Sequence, residues 1–454
     1  MAKDREDQVG TVGVVLFSQP GYPEDVLASL SRRATDAVAE SGASVAGGSL
    51  IRQPEDVEPA VRSLRRHRLD ALVVVVLSWA EPPNALRVVG AFPGVPVFLW
   101  AVQGFRIAGQ RVSTGGLIGA AAVKPLLADR HPPVVFEWGL PEEELLRAAL
   151  RRFVRVSRTV AQLRTARAGL VGYASMGSYG ATVDPGLAYR RLGVEICHIE
   201  TLSVVNRLRS LGTRSLPEPL QALLEYGPDV GPAEREKLGR FYLALREIAT
   251  EKACDALTIK CHRELSEEEG LTACVPLSLL AAELTVSCEG DMPLLLTQLA
   301  LRYLTGSPTA FVDIYEIEGD RVLIGTCGFI PAFWAVGERL RLTRWGEGYA
   351  RGVVVSNPVR EGLLTLARLQ PGPNGDFVLH ATAGTSVGLA EKWGELGCPA
   401  FPGGEVALDG SGYRFGQGLQ GPHYAVAPGD VRAELRLLGH LLSVSVDIVT
   451  SDVR

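Results

Sequence analysis

The chain has 454 residues, 46% of them hydrophobic and 21% charged, which is the balance of a soluble globular protein with room for two or three separate cores. Its formal net charge is −5, which argues against the clustered positive surface that a nucleic-acid partner needs. The seven cysteines form no Cys-X-X-Cys pair, so reduced thiols are expected, and neither disulfides nor thiolate zinc sites. The charged first residues carry no apolar signal segment, and no apolar run reaches membrane-spanning length, so a cytoplasmic protein without membrane contact is expected.

In chain order, Val12 to Phe17 reads as a buried strand and Glu24 to Ser41 as an amphipathic helix. A strand near Ser44 to Leu50, a helix from Val57 to His67 and a strand from Ala71 to Leu77 follow. After a further helix comes the run from Val95 to Trp100. Continuous β-branched runs alternating with helices mark a parallel sheet covered on both faces. The turn after the first strand is Ser18-Gln19-Pro20-Gly21, which lacks the Gly-X-Gly-X-X-Gly cradle of a dinucleotide site.

A long helical segment, Glu142 to Ala168, reads as a connector into a second α/β pattern that begins at Gly169. That pattern holds a helix from Pro232 to Thr250, where the proline suits a first turn. A strand from Ala256 to Cys261, a helix from Leu271 to Glu283 and a strand from Leu284 to Cys288 complete it. Past Thr309 the runs shorten and Gly and Pro punctuate them: Ala310 to Ile317, Arg321 to Ile324, Gly352 to Ser356, Gly362 to Leu369 and Asp376 to Thr382. Here an antiparallel β domain is expected. A helix from Val431 to Leu442 and a strand from Ser443 to Val449 close the chain. The expected fold is therefore α/β: two doubly wound parallel-sheet domains, residues 1–165 and 166–308, then a C-terminal barrel-like antiparallel domain, 309–454.

Few residues stand out chemically. Of the seven histidines, His262 sits at a strand end, the end that faces the crevice in an α/β sheet, and His423 follows Gly421-Pro422 at a loop or strand edge. Either suits a ligand or a hydrogen-bonded structural histidine. Glu289 and Asp291 come directly after an apolar strand, where a charge is costly unless it is paired or metal-bound. Asp291 also fits a helix N-cap. Asp313 stands in an apolar run and reads as either a buried ligand or a strand carboxylate paired with arginine.

The run Tyr173 to Pro185 with Gly193-Val194-Glu195 resembles the central domain of the L-fucose isomerases. Cys288-Glu289-Gly290-Asp291 resembles the first metal-ligand motif of the L-arabinose isomerases, and Phe311 to Tyr315 followed by Val322 to Gly325 resembles the second. Gly421 to Ala425 resembles the late histidine motif. The four occur in the family's order over most of the chain, with Glu289 and Asp313 24 positions apart.

The resemblance implies a manganese-like divalent cation, Mn2+ or another hard ion such as Mg2+, held by Glu289, Asp313 and His423. Two carboxylates and one imidazole suit such an ion better than zinc or copper. It implies aldose–ketose isomerisation through an enediolate on a pentose, a 6-deoxyhexose or a modified hexose, with Glu289 and Asp313 as the acid/base pair as well as ligands. The same residues would also serve a lyase or epimerase that passes through an enediolate, or a non-catalytic sugar-binding paralogue. Trp79 resembles a sugar-stacking tryptophan, and Met176, Lys260 and His262 are expected at the substrate wall, where Lys260 and His262 suit hydroxyls or an anionic group. A homo-oligomer, trimer or hexamer, is implied as well. The departures are Pro422, in place of a polar residue, and Ile324-Gly325-Thr326-Cys327, where arabinose isomerases place a further histidine.

Overall fold

The computed structural model describes residues 10–107, 109–212, 217–334, 340–344, 352–388 and 403–451. Cys398 and the charged N-terminal residues lie outside them. The chain forms two compact units. Of the described residues, one unit takes 10–161 and Leu437–Ser443, and the other takes Gln162–Arg436 and 444–451.

In the first unit the elements run β1 (Thr11–Phe17), α1 (Glu24–Ala39), β2 (Ser44–Ile51), α2 (Val57–Leu64), β3 (Ala71–Val76), α3 (Pro82–Gly90) and β4 (Val97–Ala101). A small hairpin, β5 (Phe105–Ile107) and β6 (Gln110–Val112), precedes α4 (Gly116–Val123), β7 (Val134–Trp138) and α5 (Glu144–Leu163). The sheet order is β2-β1-β3-β4-β7, parallel throughout. Every residue of β3 is buried, as a strand covered by helices on both faces requires.

The second unit opens with a four-stranded parallel sheet. Its elements are β8 (Arg167–Val171), α6 (Pro185–Leu192), β9 (Glu195–Ile199), α7 (Thr201–Ser210), α8 (Glu218–Leu224), α9 (Pro232–Glu251), β10 (Ala256–Ile259), α10 (Cys274–Leu280), β11 (Thr285–Ser287) and α11 (Met292–Thr305). The order β11-β10-β8-β9 winds out in both directions from β8, as the first sheet does from β1. The expected connector helix stops at Leu163, because Arg167 and Ala168 already belong to β8. Likewise α10 starts only at Cys274: the Thr272 hydroxyl is used in a hydrogen bond to the Val353 carbonyl.

The remaining strands are β12 (Ala310–Glu318), β13 (Arg321–Gly325), β14 (Arg341–Arg344), β15 (Val353–Ser356), β16 (Gly362–Pro371), β17 (Phe377–Ser386), β18 (Gly403–Leu408), β19 (His423–Pro428) and β20 (Ser445–Ile448). Helix α12 (Gly412–Gln417) precedes β19, and α13 (Arg432–Leu442) follows it. Strands β16-β19-β12-β13-β18-β17 pair antiparallel, and β17 pairs back onto β16, closing a six-stranded barrel. The fold class is the expected one. Its one departure is β20, which joins β17 in parallel because α13 returns the chain to the same edge direction. Helix α11 packs on β11, β16 and β19 and joins the parallel sheet to the barrel. No described helix is long and apolar enough to cross a membrane.

Candidate active site

The C-terminal edge of the β8–β11 sheet gathers three loop starts: Gly172-Tyr173 after β8, Lys260-Cys261-His262 after β10, and Cys288-Glu289-Gly290 after β11. In parallel sheets this edge faces the binding crevice. Glu289 holds the left-handed region at φ 61°, uncommon for a side chain with a Cβ and a mark of strain that the surroundings impose. Gly290 follows at φ 68°, and a Cβ there would lie 2.2 Å from the Tyr173 carbonyl oxygen. Only glycine lets the two loops pass this closely. The Glu289 carbonyl accepts from Ser175 N at 2.8 Å, which holds the carboxylate-bearing residue in its unusual conformation.

The barrel supplies the other side. Pairing of β12 with β19 sets Asp313 opposite His423. His423 Nε2 lies 3.3 Å from Asp313 Oδ1 and 3.4 Å from Glu289 Oε2. Two carboxylates from different layers therefore converge on one imidazole nitrogen. Their charges oppose one another in a site from which water is mostly excluded. Burial pushes the Glu289 carboxyl up to about 7, with Cys261 and Asp313 adding to the shift and His423 opposing it. Burial likewise pushes Asp313 up to about 6, against the pull of His423.

The opposite ring nitrogen is already committed. His423 Nδ1 lies 2.8 Å from Asp291 Oδ2. Burial works against the Asp291 charge, but the hydrogen bond from His423 and the Arg368 guanidinium outweigh it and hold the carboxyl below its ordinary range. An ionised Asp291 accepts, so Nδ1 carries a hydrogen, and loss of the second ring proton leaves the lone pair on Nε2. Two carboxylate oxygens within 3.4 Å of one imidazole nitrogen call for a cation or shared protons between each carboxylate and the ring. The donor set fits a hard divalent ion.

The protonation pattern has a measurable consequence. His423 is also raised: burial lowers it, but the bond to Asp291 and the nearby carboxylates more than compensate. In the cation-free protein all three groups hold protons to higher pH than in the unfolded chain. Stability from them is thus full at low pH and lost as pH rises through about 6 to 7. The carboxylate shifts together are worth on the order of a few kcal/mol. A cation bound there would replace the protons, so stabilisation by manganese should grow from pH 5 to pH 8. Unfolding curves with chelator and with manganese at both pH values check this; a manganese increment independent of pH would contradict it.

Asp291 is a residue whose larger role sequence reading missed. It caps α11, accepting from Leu294 N at 3.0 Å, as the N-cap alternative held, and it also orients His423. Behind it lies Arg368, fully buried, whose Nη1 donates to Asp291 Oδ2 at 2.9 Å and to the His423 carbonyl at 2.9 Å. Its Nη2 donates to the Gly180 carbonyl at 3.0 Å, tying the loop that carries Met176 to the same cluster. The signal was present: an arginine in the apolar run of β16 must find a partner. Among the described residues no arginine pairs with Asp313; Tyr315 Oη lies 3.4 Å from its Oδ2.

The other expected wall residues are placed as follows. Lys260 is buried at the strand edge, its Nζ 2.6 Å from Glu264 Oε1 and 3.7 Å from the Tyr173 ring centre. His262 is buried on the Glu289 side. Met176 is exposed at φ 52° in the loop after β8. Trp79 is exposed just after β3, in the first unit. A second donor cluster also appears: atoms of His262, Glu289 and Cys327 all lie within 4.8 Å of one another. Of the two clusters, the one around His423 has the oriented imidazole and the hard donors, and it fits a manganese-like ion better.

No family model matches the chain. Along most of its length it is nonetheless similar to enzymes that isomerise a sugar. The sulfoquinovose isomerase of Alkalicoccus urumqiensis is 25% identical over 415 residues, 87% of this chain and 90% of that protein. That of Priestia aryabhattai is 20% identical over 89% of this chain and 91% of its own length. That of Clostridium sp. (strain MSTE9) is 23% identical over 83% of this chain and 86% of its own length.

Proposed function

We propose that this chain is a divalent-cation-dependent aldose–ketose isomerase that acts on a hexose carrying an anionic group, sulfoquinovose or a close analogue. Similarity to sulfoquinovose isomerases over most of the chain indicates an aldose–ketose isomerase. The convergence of Glu289 and Asp313 on His423 Nε2 carries the mechanistic part. Manganese fits the donor set best, and the resemblance to fucose isomerases supports a cytoplasmic homo-oligomer.

Glu289, Asp313 and His423 would hold the cation, which would supply Lewis-acid polarisation of the sugar carbonyl. The protein's own groups then move two protons. One of the two carboxylates takes the proton from C2 of the open-chain aldose and returns it to C1. The other relays the hydroxyl proton from O2 to O1. Burial pushes the Glu289 carboxyl up to about 7 in the cation-free site, and a cation bound beside it would keep it ionised, ready to accept the proton from carbon. His423 stays a ligand, its tautomer set by Asp291. The low exposure of Glu289 keeps bulk water from exchanging the transferred proton.

Lys260 and His262 share the strand edge with Glu289 and supply the positive charge that an anionic sugar requires. The ammonium of Lys260 is held by Glu264, an exposed partner that a sulfonate can replace. Met176 offers a flexible apolar face for sugar C–H groups, and the resemblance to fucose isomerases supports a stacking role for Trp79, which is exposed in the first unit.

The test is product analysis. With manganese, the purified protein should convert sulfoquinovose to its 2-ketose, with kcat/KM on the order of 100-fold above that for glucose, which lacks the anion. An epimer or a cleaved product would move the reading to another enediolate chemistry. No turnover of any aldose would end it.

A further inference from the structure

The two carboxylate oxygens of Glu289 face different neighbours. Oε2 lies 3.4 Å from His423 Nε2, whereas Oε1 lies 4.0 Å from Cys327 Sγ. Donor atoms of Glu289, Cys327 and His262 fall within 4.8 Å of one another, a spread that one ion can span after small side-chain shifts. Next to them is a cavity whose wall includes His262 and Cys327 with Cys261, Cys274 and Thr272. It has room for about one water-sized group, enough for an ion's remaining ligand. Cys327 is held in place by a turn in which the Thr326 hydroxyl accepts from Gly328 N at 3.2 Å and Phe329 N at 3.1 Å. The Thr272 hydroxyl, bonded to the Val353 carbonyl, pins β15 over the same cavity.

We infer that His262, Cys327 and Glu289 Oε1 form a second cation site, selective for a thiophilic divalent ion such as Zn2+, and that filling it inhibits turnover by engaging Glu289. A thiolate, an imidazole and one carboxylate oxygen are a zinc-type donor set, whereas the oxygen-rich set around His423 suits a harder ion. The sequence held no Cys-X-X-Cys signal because the three ligands come from separate segments, after β10, β11 and β13. Binding breaks the Cys327 S–H bond, forms an S–Zn bond and passes the proton to water, with no change of oxidation state.

The inhibitory half rests on the isomerase reading; the site itself does not. Metal-free full-length protein titrated with Co2+ should develop a thiolate-to-cobalt charge-transfer band in the near ultraviolet, and Cys327→Ser should lose it while binding one equivalent fewer. In the manganese-loaded enzyme Zn2+ should lower turnover reversibly to chelator, and Cys327→Ser should keep its basal rate but need roughly tenfold more Zn2+ for the same inhibition. A wild-type protein without the band, a band that survives in Cys327→Ser, or equal inhibition of both proteins overturns the inference. Should Cys327→Ser fold poorly, zinc anomalous scattering on wild-type crystals decides: density against Cys327 Sγ supports the site, and its absence overturns it.

Discussion

Glu289→Gln is expected to lower turnover by about 10³-fold or more while leaving the fold intact. The amide matches the carboxylate in shape but cannot take a proton from carbon and is a poorer cation ligand. The same change removes one of two like charges from a mostly desolvated site, where burial had already pushed Glu289 up to about 7. Thermal stability of the cation-free protein should therefore stay level or rise at pH 8. A variant that loses activity by unfolding would show the reverse. Full retention of turnover on the sugar that the wild type isomerises would remove Glu289 from the mechanism.

The second large effect lies behind the proposed ligands. Asp291→Asn leaves Arg368, fully buried, without its anion, at an expected cost of about 3 kcal/mol in denaturant unfolding. Asparagine still caps a helix, so α11 keeps its N-terminal hydrogen bond. Manganese affinity should nevertheless fall about 10- to 100-fold, because His423 loses the charge that sets its tautomer. Asp291→Ala removes the cap as well and should cost about 1 kcal/mol more. Direct manganese titration separates the roles: wild-type affinity in Asp291→Asn would reduce Asp291 to a cap and a counter-ion for Arg368.

Periodicity reads layers well and partners poorly. The fully buried run of β3 and the short, Gly-punctuated strands after residue 309 betray their sheets because burial on one or two faces dictates the side-chain pattern. Strand β18 escaped notice: its Gly403-Gly404 start carries no β-branched signal, and neighbours on both sides hold it in the barrel. The pattern carries the connector helix on to Ala168, past its end at Leu163, for a similar reason. Arg167 and Ala168 suit a helix as well as a strand, and pairing with β9 and β10 decides.

The site divides in the same way. By itself the sequence determined the fold class and the short motifs around Glu289, Asp313 and His423, because a carboxylate placed straight after an apolar strand and a histidine held between Gly, Pro and Tyr show in local pattern. It could not show that Asp291 serves His423, 132 positions on, nor that Arg368 stands behind both. Those contacts exist only once β11, β16 and β19 pack on α11, and hydrogen bonds between distant segments leave no periodic trace. The same holds for Glu289 itself. Its motif was visible in the chain, but the way its two oxygens face His423 on one side and Cys327 on the other was decided by tertiary packing alone.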